Sequence, residues 1–174
     1  MKFALKQDAQ GRMALLRLFM YLQGGDSMRI YLDNCCYNRP FDQQTLLRVQ
    51  LETITKLAVQ LLMATGVVEY VWSKVLDYEI SFNPFPKRQN SILWWKDGAV
   101  EYVEMSDSLI RRGEEIEAFG VKPKDALHLA SAEKAGCDWF LTTDKGILKK
   151  VSALGKMRVV NPIHFISEES NENI

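Results

Sequence analysis

Asp33, Glu79, Asp125 and Asp144 are the four of the chain's 22 acidic residues that chain order can bring to one edge of a sheet. Asp33 and Asp144 each follow a strand-like run, and Glu79 and Asp125 each lie early in a helix-like run. In an open parallel sheet, ligands bind at the carboxyl ends of the strands. Asp138 precedes its strand and belongs at the opposite edge. Carboxylates gathered in one place repel one another unless a cation neutralises them. A set of oxygen donors suits Mg2+ or Mn2+ rather than zinc. Such an ion polarises a phosphodiester and activates a water for in-line attack. Each acid also has a plainer role open to it. Asp33 could cap a turn, Asp144 could cap a helix, Asp125 could complement a helix dipole, and Glu79 could be solvated.

The elements that must carry these residues are legible as hydrophobic period and punctuation. Met28-Arg-Ile-Tyr-Leu reads as a strand ending at Asp33. Leu47, Leu51, Ile54, Ala58 and Leu61, spaced 4, 3, 4 and 3, predict one face of a long helix over about 43–64, closed by Gly66. Val67 to Trp72 predicts a second strand, and Ser73 suits the N-cap of a helix carrying Glu79. Pro84 and Pro86 break that helix. A polar segment, Lys87 to Lys96, leads to a third short strand from Val100 to Val103. Ser106 caps a helix running to about Phe119, with Gly120 as its stop. Pro123 opens the helix that carries Asp125 and ends at Gly136. Trp139-Phe-Leu-Thr-Thr is a strand ending at Asp144, and a short helix with Lys149 and Lys150 follows. Met157 to Val160 is a further strand, and Pro162 to Ile166 a last turn.

This alternation predicts one α/β domain, a parallel sheet of about four to five strands with helices on both faces. The domain should span 28–166. Residues 1–27 read as an extension with a short amphipathic helix over 12–22, and 167–174 as an acidic tail expected to fray.

With 174 residues, 47% apolar and 25% charged, the chain is an ordinary globular mixture. Lys plus Arg equals Asp plus Glu at 22 each, which excludes a general basic coat for nucleic acid but not a local patch. Three cysteines at no metal spacing argue against a disulfide framework and for a reducing cytoplasm. The apolar stretch Met13 to Leu22 contains Arg17 and is too short to span a membrane, and no secretion signal is expected.

Other signals are weaker. His128 shares a helix face with Asp125 and is a packed or hydrogen-bonded histidine, or else a general base. Cys35 and Cys36 lack phosphatase-loop spacing and read as apolar fillers. Arg39, Lys145 and Lys149 flank acids and could hold phosphates, or be plain solvated charges. Trp94-Trp95 could stack bases, or pack against each other.

The run from Met28 to Asp42, Met-Arg-Ile-Tyr-Leu-Asp-Asn-Cys-Cys-Tyr-Asn-Arg-Pro-Phe-Asp, resembles the opening of PIN-domain proteins, with Asp33 as its acid. Lys122-Pro-Lys-Asp-Ala-Leu-His-Leu-Ala-Ser-Ala is similar to the segment carrying the family's third acid, here Asp125. Trp139-Phe-Leu-Thr-Thr-Asp144 resembles the fourth-acid strand, and Ser73 with Glu79 fits the second-acid position more loosely. The resemblance covers 28–166. It implies a metal-dependent endoribonuclease, most often the VapC-like toxin of a toxin–antitoxin pair. Asp33, Glu79, Asp125 and Asp144 would hold Mg2+ or Mn2+, with Thr143 and Asn34 orienting water. Single-stranded or structured RNA would be the substrate, hydrolysed to a 5′-phosphate and a 3′-hydroxyl, and a cognate antitoxin and a second copy of the chain the partners. Many members carry a further acid after the fourth, where this chain has Lys145-Gly-Ile-Leu-Lys, which puts a second metal in doubt. A non-catalytic RNA-binding or scaffolding module and a metal-dependent phosphatase are the alternatives.

Overall fold

The computed structural model describes residues 28–171, so the expected helix at 12–22 and the last three residues lie outside the described residues. Strand β1 (Arg29–Leu32) has Ile30, Tyr31 and Leu32 fully buried in succession. An unbroken buried run marks a central strand covered on both faces. Short helix α1 (Asn34–Asn38) and a 3-10 turn (Arg39–Phe41) lead into the long helix α2 (Leu47–Thr65), which Gly66 ends at φ 65°. Strand β2 (Glu69–Ser73) follows, then α3 (Lys74–Ser81), α4 (Pro86–Leu93), a 3-10 turn (Trp94–Gly98) and β3 (Glu101–Val103). Helices α5 (Asp107–Glu117) and α6 (Pro123–Lys134) cross back to β4 (Trp139–Leu141). Helix α7 (Lys145–Lys150), strands β5 (Ala153–Leu154) and β6 (Met157–Val160), and α8 (Pro162–Asn171) complete the domain.

The sheet order is β3-β2-β1-β4-β6-β5, parallel throughout except for β5, which pairs antiparallel with β6. The chain moves outward one way from β1 through β2 to β3, then returns and moves the other way from β4 to β6. Right-handed crossovers therefore put the helices of the two halves on opposite faces. The reversal makes a topological switch point between β1 and β4, where a crevice opens at the carboxyl ends of the strands. The two edge residues of that crevice are Asp33, after β1, and Asp144, beyond β4.

The expected caps are present. Ser73 Oγ accepts from the Leu76 N–H at 3.2 Å, and Ser106 Oγ from the Leu109 N–H at 3.3 Å. Pro123 occupies the first turn of α6.

Four expectations need correction. The polar segment 87–96 is helical, because Pro86 starts a new helix rather than only ending the previous one. The sheet has six strands, β5 being a two-residue antiparallel edge too short to read from sequence. The last turn is a full helix that continues through Ser167–Asn171. The fourth concerns α2, whose leucine stripe does not face the core. Leu47, Ile54 and Leu61 are 69%, 62% and 58% exposed, while Glu52, Lys56, Val59, Gln60 and Met63 are buried. At about 100° per residue these two sets lie on opposite faces. The polar face is buried because its groups find partners. Glu52 pairs with Arg39 at 3.0 Å and Arg48 at 2.8 Å and accepts from Asn161 Nδ2 at 2.9 Å. Lys56 Nζ donates to Gln60 Oε1 at 2.6 Å.

Candidate active site

Asp33 stands one residue past β1, and its N–H donates to the Leu141 carbonyl at 3.0 Å, carrying the β1–β4 ladder beyond both strands. Its own carbonyl accepts from the Cys36 and Tyr37 N–H groups and so starts α1. The carboxylate makes no cap bond, so the plain capping role does not explain it. It is 5% exposed. Oδ2 accepts from Thr142 Oγ1 at 2.7 Å and from Cys35 Sγ at 3.0 Å. Thr142 Oγ1 accepts in turn from the Asp144 N–H at 3.0 Å, tying the ends of β1 and β4 together.

Glu79 reaches the same crevice from α3, nearly two turns after the Ser73 cap. Its Oε1 is ion-paired with Lys124, and its Oε2 meets His128 Nε2 at 3.0 Å. Burial alone would push this carboxyl up. Hydrogen bonds from His128 and Lys124, with the Lys124 charge beside it, outweigh it and hold the group at about 2. His128 is buried, and its Nδ1 lies 2.8 Å from Tyr31 Oη, which lies 2.6 Å from Ser73 Oγ. One donor arrangement satisfies every atom. Ser73 donates to Tyr31, Tyr31 to Nδ1, and Nε2–H to Glu79. A buried row across β2, β1 and α6 thus aims the Glu79 carboxylate. His128 is the hydrogen-bonded histidine that its sequence position allowed.

One donor atom each from Asp33, Glu79 and His128 lies within 4.8 Å of the others. Asp125, in the first turn of α6, is half-buried beside them. Burial, then the charges of Asp33 and Asp144, push its carboxyl up, the opposite of what a helix-dipole partner would show. Asp144 does cap α7, its Oδ1 accepting from the Gly146 and Ile147 N–H groups. Thr142, rather than Thr143, supplies the hydroxyl bonded to Asp33, while Thr143 Oγ1 is buried with no hydrogen-bond partner. Asn34 lines the adjoining cleft and accepts from Asn38 Nδ2 at 3.0 Å.

The remaining residues separate clearly. Cys36 is buried filler, but Cys35 is not. The first turn of α1 brings its thiol back onto Asp33, and its Sγ also accepts from the Thr143 N–H at 3.3 Å. Arg39 is engaged by Glu52 at 3.0 Å and Asp42 at 2.8 Å, so its charge is committed inside the fold. Lys145 and Lys149 are exposed on α7 just beyond Asp144. Trp94 and Trp95 pack edge to face at 5.1 Å. Asp138 accepts from the Arg29 N–H at 2.8 Å, at the amino end of β1 and thus away from the site.

Sequence reasoning missed Thr142 and Cys35. Thr142 carried a signal, because a hydroxyl at the end of a strand next to the Asp33 strand can reach that acid. Cys35 carried none.

A divalent cation fits this donor set. Asp33, Glu79, Asp125 and Asp144 concentrate negative charge, Lys124 is ion-paired with Glu79, and burial together with the charges of Asp33 and Asp144 raises the Asp125 carboxyl. His128 Nε2 could join the donors only by giving up its bond to Glu79.

No curated protein matches this sequence. A chain of the crystal structure of VapBC2 from Rickettsia felis bound to a DNA fragment from their promoter is similar in fold, at 16% identity and a TM-score of 0.47, over 77% of this chain and 98% of that one. The PIN domain family model matches residues 49–154, a span that holds Glu79, Asp125 and Asp144 and stops short of Asp33. The sheet supplies the missing acid by setting β1 between the strands that lead to the others, and with that match the chain belongs to the PIN domain family.

Proposed function

We propose that this protein is a metal-dependent endoribonuclease, the toxin of a toxin–antitoxin pair, working at the crevice between β1 and β4. The observation that carries the reading is the buried Asp33 within 4.8 Å of Glu79, with the Asp125 carboxyl raised by burial and then by the charges of Asp33 and Asp144. Asp33, Glu79, Asp125 and Asp144 would hold Mg2+ or Mn2+. When bound, such an ion polarises the phosphodiester and makes a coordinated water a stronger nucleophile.

The chain's own residues do the positioning. Thr142 and Cys35 hold Asp33 Oδ2 and leave Oδ1 for a ligand. The Ser73–Tyr31–His128 row fixes Glu79. Lys124 neutralises Glu79 while no cation does, and can turn to a substrate phosphate once released. Thr143 Oγ1, buried and unpartnered, is suited to orient a water. Lys145 and Lys149 offer charge to the RNA backbone. Hydrolysis would leave a 5′-phosphate and a 3′-hydroxyl.

The exposed leucine face of α2 supports a partner, either the cognate antitoxin or a second copy. No helix among the described residues is long and apolar enough to cross a membrane, and a cytoplasmic site of action suits an RNA substrate.

The test is RNA cleavage with Mn2+, alongside Mn2+ titration calorimetry, on the wild type and on Asp33→Asn. The variant should bind Mn2+ at least tenfold more weakly and lose most cleavage. Equal binding and equal cleavage would remove the site. Turnover of a generic phosphate ester but not RNA would point to a phosphatase instead.

A further inference from the structure

Beside the acids lies a cleft of about 630 Å3 that Glu79 lines together with residues of α1, α3, α4 and the loop between the last two, with Lys124 of α6 and with Asp42, which is ion-paired with Arg39. Its size is that of a small-molecule site. Three aromatic rings on its wall are open to water, Tyr78 at 60%, Phe82 at 67% and Phe85 at 52% exposure. Tyr78 and Phe82 stand edge to face at 4.8 Å. The Arg88 guanidinium lies 4.2 Å from the centre of the Phe85 ring and 5.2 Å from that of Phe41. No carboxylate among the described residues pairs with Arg88, unlike Arg39, Arg112 and Arg158. The loop bearing the rings is fixed by side-chain amides. Asn83 Nδ2 donates to Asn38 Oδ1 at 3.1 Å, and Asn83 Oδ1 accepts from the Phe85 N–H at 3.1 Å.

Exposed rings cost solvation and ordinarily mark a binding surface. Here they flank a loop that Asn83 ties down, share a wall with the candidate phosphodiester site, and stand beside a guanidinium with no carboxylate partner among the described residues. Flat apolar faces with a stacked arginine recognise one chemistry well, the face of an unstacked nucleobase with its phosphate nearby. We infer that this cleft is a base-stacking subsite, in which Tyr78, Phe82 and Phe85 hold a nucleobase of single-stranded RNA next to the scissile phosphate and Arg88 contacts the adjoining backbone. The inference rests on the nuclease reading and assigns the unpaired part of its substrate to this cleft. Paired bases are stacked inside a duplex and cannot enter the cleft.

The test separates binding from cleavage. A fluorescent single-stranded oligoribonucleotide is titrated by anisotropy into the full chain in EDTA, and the same strand annealed to its complement serves as control. The wild type should prefer the single strand. Tyr78→Leu with Phe85→Leu should weaken that binding about tenfold and leave duplex binding unchanged. Arg88→Met, a second and milder variant, should weaken it severalfold and lower the salt slope by about 0.7. Far-ultraviolet dichroism checks that each variant is folded, as expected for such exposed rings.

Parallel cleavage assays with Mn2+ keep the two readings apart. A wild type that binds single strands but never cuts them retains the subsite and loses the nuclease reading. A wild type that cuts single strands, with ring variants unchanged in affinity and KM, retains the nuclease and overturns the subsite. The rings would then be a protein-docking patch.

Discussion

Replacing Glu79 by Gln removes one charge from the candidate site and should destabilise the metal-free protein by a predictable amount. The carboxyl is held at about 2 against an ordinary 4.5. That difference of about 2.5 units corresponds to a ceiling of about 3.4 kcal/mol at neutral pH, at 1.36 kcal/mol per unit. The side chain is 21% exposed, so solvent screens part of the interaction. Glutamine also keeps an acceptor for one of the two donors, and a loss of about 2 kcal/mol is the reasonable expectation. For a chain of this size that lowers Tm by about 4–8 °C. Lys124 is exposed, and losing its partner adds no burial cost.

The pH dependence has a definite sign. The folded value lies below the unfolded one, so the stabilisation is fully present above about 4.5 and fades as pH falls toward about 2. Urea denaturation in EDTA, followed by circular dichroism from pH 7 down to pH 3.5, measures both effects. The gap between wild type and Glu79→Gln should be widest at neutral pH and narrow below about 4.5. Equal stabilities at pH 7, or a gap constant across the range, would show that the His128–Glu79–Lys124 contacts do not operate as described.

Asp125→Asn should have the opposite sign in the same protein. It removes a carboxyl that burial and the charges of Asp33 and Asp144 already disfavour, so metal-free Tm should rise, while Mn2+ should no longer add thermal stability. A fall in metal-free Tm would refute the crowding of charge. Tyr31→Phe leaves His128 Nδ1 buried without its donor and should cost about 1–3 kcal/mol by urea denaturation, with RNA cleavage reduced as Glu79 loses its support. Unchanged stability and activity would remove the row's positioning role. Lys56→Met should stabilise the protein by about 1 kcal/mol at pH 7, since burial lowers that ammonium to about 8 but Gln60 loses its donor. Here the folded value again lies below the unfolded one, but the disfavoured form is the charged one. Wild-type stability therefore recovers as pH climbs from about 8 toward 10.5, and the variant's advantage should shrink over that range.

Local chemistry decided much of this protein before any packing. The strand before Asp33, the Ser73 and Ser106 caps, Pro123 at the start of α6 and the glycine stops are one-residue statements about backbone conformation, and they hold whatever surrounds them. Chain order and the carboxyl-edge rule were enough to single out the four acids and to send Asp138 to the other edge. Pairing had to be decided in three dimensions. The 4-3 repeat of α2 located a helix and a stripe correctly, yet periodicity does not say which face is covered. Glu52 could be buried only because Arg39, Arg48 and Asn161 converge on it from separate elements. The same holds at the site. Only the fold put Thr142 on Asp33, stacked Ser73, Tyr31 and His128 behind Glu79, and distinguished the committed Arg39 from the available Arg88. These contacts join residues up to 109 positions apart, and their energy depends on distance and desolvation, which no local pattern encodes.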